Sequence, residues 1–335
     1  RSGVRRGCNH TERLDSPPVS SAGPEAERRT GPDPVRRWRG VGVAVFVIAL
    51  VGGLVLRVYA PSPLWLDEAL SVNLASLPPS DLVDALRNDG HPALYYLLLG
   101  WWIDVVGDGD TAVRALSGIL SLAAVPVVWA VARRYEPPTA PVAATLALAS
   151  PYLLRYGTEA RMYALVVLLA ALGWWAVDTA IDRPTGLRLA GVVLVAAALV
   201  HTHYWTFWLI GTTVALLGWI AWRDAARRRG ATRTAAAVLA GAATLVVWLG
   251  VLLDQSSDTG TPWASRARPA EVLIETLQAL GGSVRFEGTL LGAMLLLLVV
   301  AGGTALARAT TELRLAPRAV RAAVPVVVIG GTLAL

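Results

Sequence analysis

Long apolar segments recur along this chain, at 40–59, 91–106, 112–132, 140–154, 161–181, 187–200, 204–222, 234–253, 288–307 and 322–335, and they leave few folds open to it. A helix needs roughly 17 to 25 mostly apolar residues to cross about 30 Å of hydrocarbon, and most of these segments approach that length. A soluble core requires no such repetition. With 55% hydrophobic and only 16% charged residues over 335 positions, and a mean hydropathy of +0.52, the chain reads as an all-α polytopic membrane protein.

All 30 basic residues are Arg, and the formal net charge is +6. They cluster between apolar runs, as in Arg36-Arg37-Trp38-Arg39, Arg133-Arg134 and Arg227-Arg228-Arg229. That placement is the pattern by which positive loops stay in the cytoplasm, so it argues for topology and against nucleic acid as a partner. Cys8 stands alone, which excludes an intramolecular disulfide and a cysteine-based metal site. Residues 1–37, rich in Arg, Pro, Ser and Gly, are expected to form a disordered cytoplasmic tail, and 38–335 a transmembrane domain. Within the tail, Asn9-His10-Thr11 matches a glycosylation acceptor by chance. A start at Arg1 and an end at Leu335 inside an apolar run lead to the expectation of a fragment, truncated at its C-terminus.

Parity decides the topology. If every apolar segment spans, the Arg-rich loops at 133–134, 183–188, 223–233 and 308–321 all fall on the outer side, against the charge rule. If 91–106 lies in the interface, all of them become cytoplasmic together. That segment carries Tyr95, Tyr96, Trp101 and Trp102, aromatics suited to the headgroup level. Nine spans are therefore expected, with outer loops at 60–111 and 254–287. Ser80 is placed to cap a short helix at 81–87 striped by Leu82, Val83 and Leu86, and helical spacing recurs at 269–280.

This topology puts the strongest polar candidates on one face: Asp67 and Glu68, His91, Arg114, Glu159, Arg161, Tyr163, His201 and His203. Ionisable groups at a membrane boundary are functional candidates by default. Adjacent carboxylates repel, which raises the pKa of one while the ionised one can act as a general base. Each residue also has an ordinary reading: solvation for the acidic pair, snorkelling for Arg114, and an ion pair of Glu159 with Arg155 or Arg161. A helix continuous through Glu159 and Tyr163 points Arg161 away from them, so a shared cleft requires the helix to start near Arg161. His201 and His203 lack a clear third metal ligand, although a divalent cation on Asp67 or Glu68 with Glu159 stays open.

The ordered motifs Trp65-Leu66-Asp67-Glu68-Ala69, His91-Pro92-Ala93-Leu94-Tyr95-Tyr96, Arg114-Ala115-Leu116-Ser117, Ser150-Pro151 to Glu159-Ala160-Arg161-Met162-Tyr163, and His201-Thr202-His203-Tyr204 resemble the membrane glycosyltransferases of the C-type fold. Within that group the chain looks closest to the prokaryotic protein O-mannosyltransferase and aminoarabinose-transferase relatives. The resemblance covers nearly the whole membrane region, and it implies a juxtamembrane helix in the first outer loop. It also implies transfer of a sugar from a polyprenyl- or dolichyl-phosphate carrier to an acceptor glycan, lipid or protein at the outer face of the cell membrane. By that resemblance Asp67 is the catalytic base and Glu68 its support, while Arg114 and Arg161 bind the donor phosphate. His91, Glu159, Tyr163 and His203 follow as donor-positioning residues, with Tyr95 and His201 in the same substrate-binding set. The chain departs from the family at His91-Pro92-Ala93, where a second Pro is usual, and it lacks the distal membrane region that can select donor and acceptor. A transporter or lipid flippase is the rival reading, and a non-catalytic membrane scaffold a third; transport is disfavoured by the scarcity of charge within the spans and by the lack of repeated halves.

Overall fold

A computed structural model describes residues 34–59, 61–258, 268–282, 285 and 287–297. The expected tail up to residue 33, Cys8, Asn9-His10-Thr11, residues 259–267 of the expected outer loop, and the segments beyond 297 lie outside the described residues. The chain divides at Val43 and Ala44 into two units, and the interactions below belong to the second.

The described residues form helices and no strand. Helix α1 (Pro34–Val58) is followed by three short helices, α2 (Leu66–Ala75), α3 (Pro79–Leu86) and α4 (Leu94–Val106). Then come α5 (Asp110–Tyr135), α6 (Ala140–Ala149), α7 (Pro151–Gly157), α8 (Tyr163–Asp182), α9 (Gly186–Val200), α10 (Thr206–Arg223), α11 (Arg228–Ala243), α12 (Leu249–Asp258), α13 (Pro269–Gly281) and α14 (Glu287–Leu297). Helix α1 already starts at Pro34, so 34–37 are helical rather than part of a disordered tail.

Four stretches are long and apolar enough to cross a membrane: Gly40–Val58, Asp110–Tyr135, Tyr163–Asp182 and Arg228–Ser256. The last joins α11 to α12 through a 3₁₀ turn at Thr244–Trp248. Large apolar side chains such as Ile48, Leu194 and Trp222 are exposed on the outer surfaces of the helices. Bare apolar surface on that scale fits lipid contact and hence a membrane protein.

The expected span at 140–154 is broken. Ser150 caps α7 by accepting the Leu153 N–H (3.4 Å), and Pro151 takes the first helical position, where its missing N–H costs nothing. Helix α6 is left with 10 residues, about 15 Å at 1.5 Å per residue. The carbonyls freed at the break find a donor in Arg57, which is buried near the end of α1. Its guanidinium donates to Leu148 O (3.2 Å), Ala147 O (3.4 Å), Gly53 O (2.9 Å) and Ser121 Oγ (2.9 Å). A buried cation inside an apolar span is tolerated where acceptors surround it in this way.

Helix α4 has 13 residues, about 20 Å of length, too short to span. Both its ends are held at one end of the bundle. At its start the Leu94 N–H donates to His201 O (3.1 Å), and near its finish Trp102 Nε1 donates to Ala112 O (2.7 Å) in the first turn of α5. Gly107, at φ 100°, makes the tight exit that lets α5 begin three residues later. Leu82, Leu86, Tyr95, Tyr96 and Leu99 of α3 and α4 pack with Val113, Leu116, Met162 and Leu165 into one core at this end, which we call the cap end. Helix α3 starts at Pro79, so Ser80 lies inside it and bonds Asp81 instead of capping; the stripe buries Leu82 and Leu86 as expected. Helix α13 matches the periodicity read at 269–280.

At the opposite end Arg134 of α5 bonds Asp178 (2.8 Å) and Asp182 (3.0 Å) of α8, and Arg188 donates to Thr179 O (2.8 Å). Arg134 and Arg188 thus lie at the end away from Asp67 and Glu68.

Candidate functional site

The acidic pair opens α2, and its two members have different surroundings. Glu68 is wholly buried. Its carboxylate accepts Arg114 Nε (2.8 Å) and Nη2 (2.5 Å), the Ala160 N–H (2.8 Å) and the Trp65 N–H (3.2 Å). Burial alone pushes this carboxyl up, but the Arg114 fork and the two backbone donors outweigh it and hold Glu68 below the usual carboxylate range. Repulsion from Asp67, expected to raise one member of the pair, does not govern Glu68. Arg114, also buried, donates in addition to Ser62 O (2.5 Å) and Pro63 O (3.0 Å). One ion pair therefore ties the loop after α1, the start of α2, the start of α5 and the segment before α8.

The expectation that Arg114 grips a phosphate meets a physical obstacle in this geometry. Every oxygen of Glu68 is engaged, and Arg114 faces carboxylate and carbonyls rather than open space. Both act as the frame on which the cleft is built. Ser117 and Ser121 continue the same face of α5 at helical spacing, Ser117 toward Tyr95 and Ser121 toward Arg57.

Asp67 turns the other way. Its side chain is 40% exposed, and its Oδ2 lies 3.7 Å from Arg161 Nη2. Arg161 is 5% exposed; its guanidinium bonds the Tyr163 side chain and makes longer contacts, at 3.5 Å, to Asp67 O and to Ser71 Oγ. Its Nε, also buried, has no hydrogen-bond partner. One N–H of this buried guanidinium is thus left unpaired, which is costly for a buried cation. The chain is non-helical from Thr158 to Met162, so α8 starts at Tyr163, as a shared cleft requires. The Arg161 guanidinium then sits 5.8 Å from the Tyr163 ring centroid.

An aromatic row leads away from that point. Tyr152 touches Tyr156 (4.6 Å between centroids), Tyr156 touches Tyr163 (4.6 Å), Tyr163 meets His203 (6.0 Å), and His203 meets His91 edge-on (5.4 Å). Burial, with His91 and Arg161 nearby, lowers His203 to about 4, so its imidazole is neutral at ordinary pH. His203 Nδ1 accepts the Trp205 N–H (3.2 Å), which leaves Nε2 to carry the ring proton. His91 Nδ1 lies 3.3 Å from Asp89 Oδ2, which also accepts the Tyr96 hydroxyl (2.9 Å). Burial pushes Asp89 up, but His91, Tyr96 and Arg161 outweigh it and leave the carboxyl below its ordinary value.

Glu159 sits beside this row, pairing with Arg155 (Nε to Oε1, 3.2 Å) rather than with Arg161. Burial pushes its carboxyl above the ordinary range, with the Glu68 charge acting in the same direction. Two expected members diverge. Tyr95 is fully buried with its hydroxyl toward Ser117 (3.5 Å), so it packs the core and does not face the cleft. His201 directs Nε2 to Thr244 Oγ1 (3.3 Å), because the turn after α9 rotates it away from His203. No group of three or more His, Cys, Asp or Glu side chains suited to a metal ion occurs among the described residues, and a divalent cation on Asp67 or Glu68 with Glu159 finds no such cluster.

Asp89, Tyr96, Tyr152, Tyr156 and Ser71 join the site without having been singled out from sequence. Asp89-Gly90-His91 was the available signal, a carboxylate two residues before a histidine already under suspicion. The cap end thus brings together a half-exposed carboxylate, a buried guanidinium 3.7 Å away with an unpaired Nε, and a row of aromatic and imidazole rings. Comparison with family models, with curated proteins and with solved structures gives no match.

Proposed function

We propose that the chain is a membrane glycosyltransferase of the C-type fold, which moves a sugar from a polyprenyl- or dolichyl-phosphate to an acceptor hydroxyl on a glycan, lipid or protein. The observation that carries this reading is Arg161, a buried guanidinium without a full set of acceptors, beside the half-exposed Asp67. In the reaction Asp67 takes the proton of the acceptor hydroxyl as its oxygen attacks the anomeric carbon. The bond from that carbon to the phosphate oxygen breaks, and the electron pair leaves with the phosphate. Charge grows on the phosphate oxygens in this step, and Arg161 is the cation placed to meet it. His91, Tyr163 and His203 line the side on which the sugar rests, and Glu159 flanks them. Glu68 and Arg114 take the role of frame rather than of direct contact.

The topology that accompanies this reading has nine crossings, that at 140–154 made by the broken pair α6 and α7, with α4 in the interface, the cap end on the outer face of the cell membrane and the Arg-rich loops in the cytoplasm. The test is sugar transfer from a radiolabelled polyprenyl-phosphate sugar in proteoliposomes. Asp67→Asn should lower kcat about 10²–10⁴-fold, the usual worth of a general base. Arg161→Gln should cripple the step as well, and near-native turnover by D67N sinks the base assignment. Flux of lipid or sugar without transfer favours a transporter instead.

A further inference from the structure

The geometry points to Gln255 as the residue that holds His91 and His203 in register, so that α12 positions the sugar-facing side of the cleft from outside it. This inference rests on the reading of His91 and His203 as sugar-side residues. Gln255 is 2% exposed. Its amide Nε2 donates to Leu86 O (2.5 Å) at the end of α3 and to His91 O (3.2 Å), while its Oε1 accepts the hydroxyl of Tyr204, the residue after His203. Tyr204 in turn accepts Trp248 Nε1 (2.9 Å), from the 3₁₀ turn that precedes α12. Asp254, one residue earlier, pairs with Arg87 just beyond α3.

A glutamine suits this position because its single terminal group both donates twice and accepts. It bonds the backbone of one histidine and the neighbour of the other, two segments 112 residues apart in sequence (203 − 91) whose rings stand 5.4 Å apart. Leu94, which donates to His201 O, closes the same ring of contacts from the other side. The 3₁₀ turn at Thr244–Trp248 has its place in this arrangement. It shifts the helix phase between α11 and α12, so that Trp248 and Gln255 meet Tyr204 together.

The test uses the full chain in micelles with ¹³C-labelled histidine; only four histidines are present. Gln255→Leu keeps the volume and removes the amide. Tyr204→Phe removes one hydroxyl with the packing intact, so it reports even if Q255L folds poorly. Leu253→Ala, on an exposed face of α12, is the control. Gln255→Leu should lower kcat about tenfold with KM for the donor changed less than about threefold, because the phosphate contact at Arg161 is untouched. Tyr204→Phe should lower kcat about threefold, since it removes the bonds to Gln255 and Trp248 but leaves the Gln255 amide on Leu86 O and His91 O. In both variants the His91 and His203 imidazole signals should move while His201 stays. Unchanged kcat, or unchanged signals from both rings, overturns the inference. Should the unmodified chain transfer no sugar from lipid-phosphate donors, the proposed function falls, and the imidazole signals alone decide whether Gln255 holds the pair.

Discussion

Glu68 and Asp67 are neighbours in sequence with opposite surroundings, and the division is set by partners that no local pattern announces. Arg114 lies 46 residues away and the Ala160 N–H 92 residues away. A Glu-to-Gln change at 68 leaves Arg114 buried against an amide donor, a loss of about 3–5 kcal/mol for one partner of a buried ion pair. The sign with pH follows from its lowered pKa. The stabilisation is complete above the unfolded value of about 4.3 and is lost as pH falls through the lower folded value. Thermal unfolding in detergent should therefore show the wild-type midpoint dropping below about pH 4.3. In Glu68→Gln the midpoint should be low throughout and lack the part of that drop that Glu68 causes; an equal drop in both sinks the assignment. Asp67, Arg161 and His203 were readable from sequence because charge and imidazole stand out beside apolar spans. The directions of Tyr95 and His201 were not legible, because adjacent or alternate residues in a turn or helix point in different directions, and the turn geometry is set by tertiary contacts.

Among elements, the break between α6 and α7 does the most to place the cleft, since it sends the chain through Thr158–Met162 to Arg161. The Ser150-Pro151 signal was present in the sequence, but hydropathy alone runs straight across it and suggests one span. What the sequence lacked was the clasp, because Arg57 reads as the end of an apolar run. Gly157 is a close packing point of this clasp. A Cβ there would lie 2.9 Å from Ser121 Oγ and 3.2 Å from Arg57 Nε, whereas one at Gly118 would meet nothing nearer than 3.4 Å. Gly157→Ala should cost about 1–3 kcal/mol by overpacking and push α7 from α5, carrying the Ala160 and Arg161 segment with it. Gly118→Ala should be neutral or mildly stabilising. Equal unfolding midpoints and equal transfer rates for the two variants contradict this account of the clasp.

For the molecule as a whole, the charge rule and the hydrogen bonds of α4 both bear on the segment 91–106. Parity required that one of the apolar segments not cross, and 91–106 was chosen for its aromatics. The structure gives that segment 13 helical residues whose two ends bond the start of α5 and the turn after α9, both at the cap end. A helix fixed so cannot also carry the chain to the far end. The Arg clusters at 133–134 and 183–188 therefore stand at the end opposite Asp67, as positive loops retained in the cytoplasm must if the cleft faces outward. In a Cys8→Ser background, cysteine in place of Asp108, exposed between α4 and α5, should react with a membrane-impermeant thiol reagent in intact cells. Cysteine in place of Arg133 should react only after the cells are opened. Labelling in the reverse sense turns the cleft to the cytoplasm, where outer-face donors cannot reach Arg161. Equal labelling of both sites in intact cells sinks the two-ended charge arrangement itself.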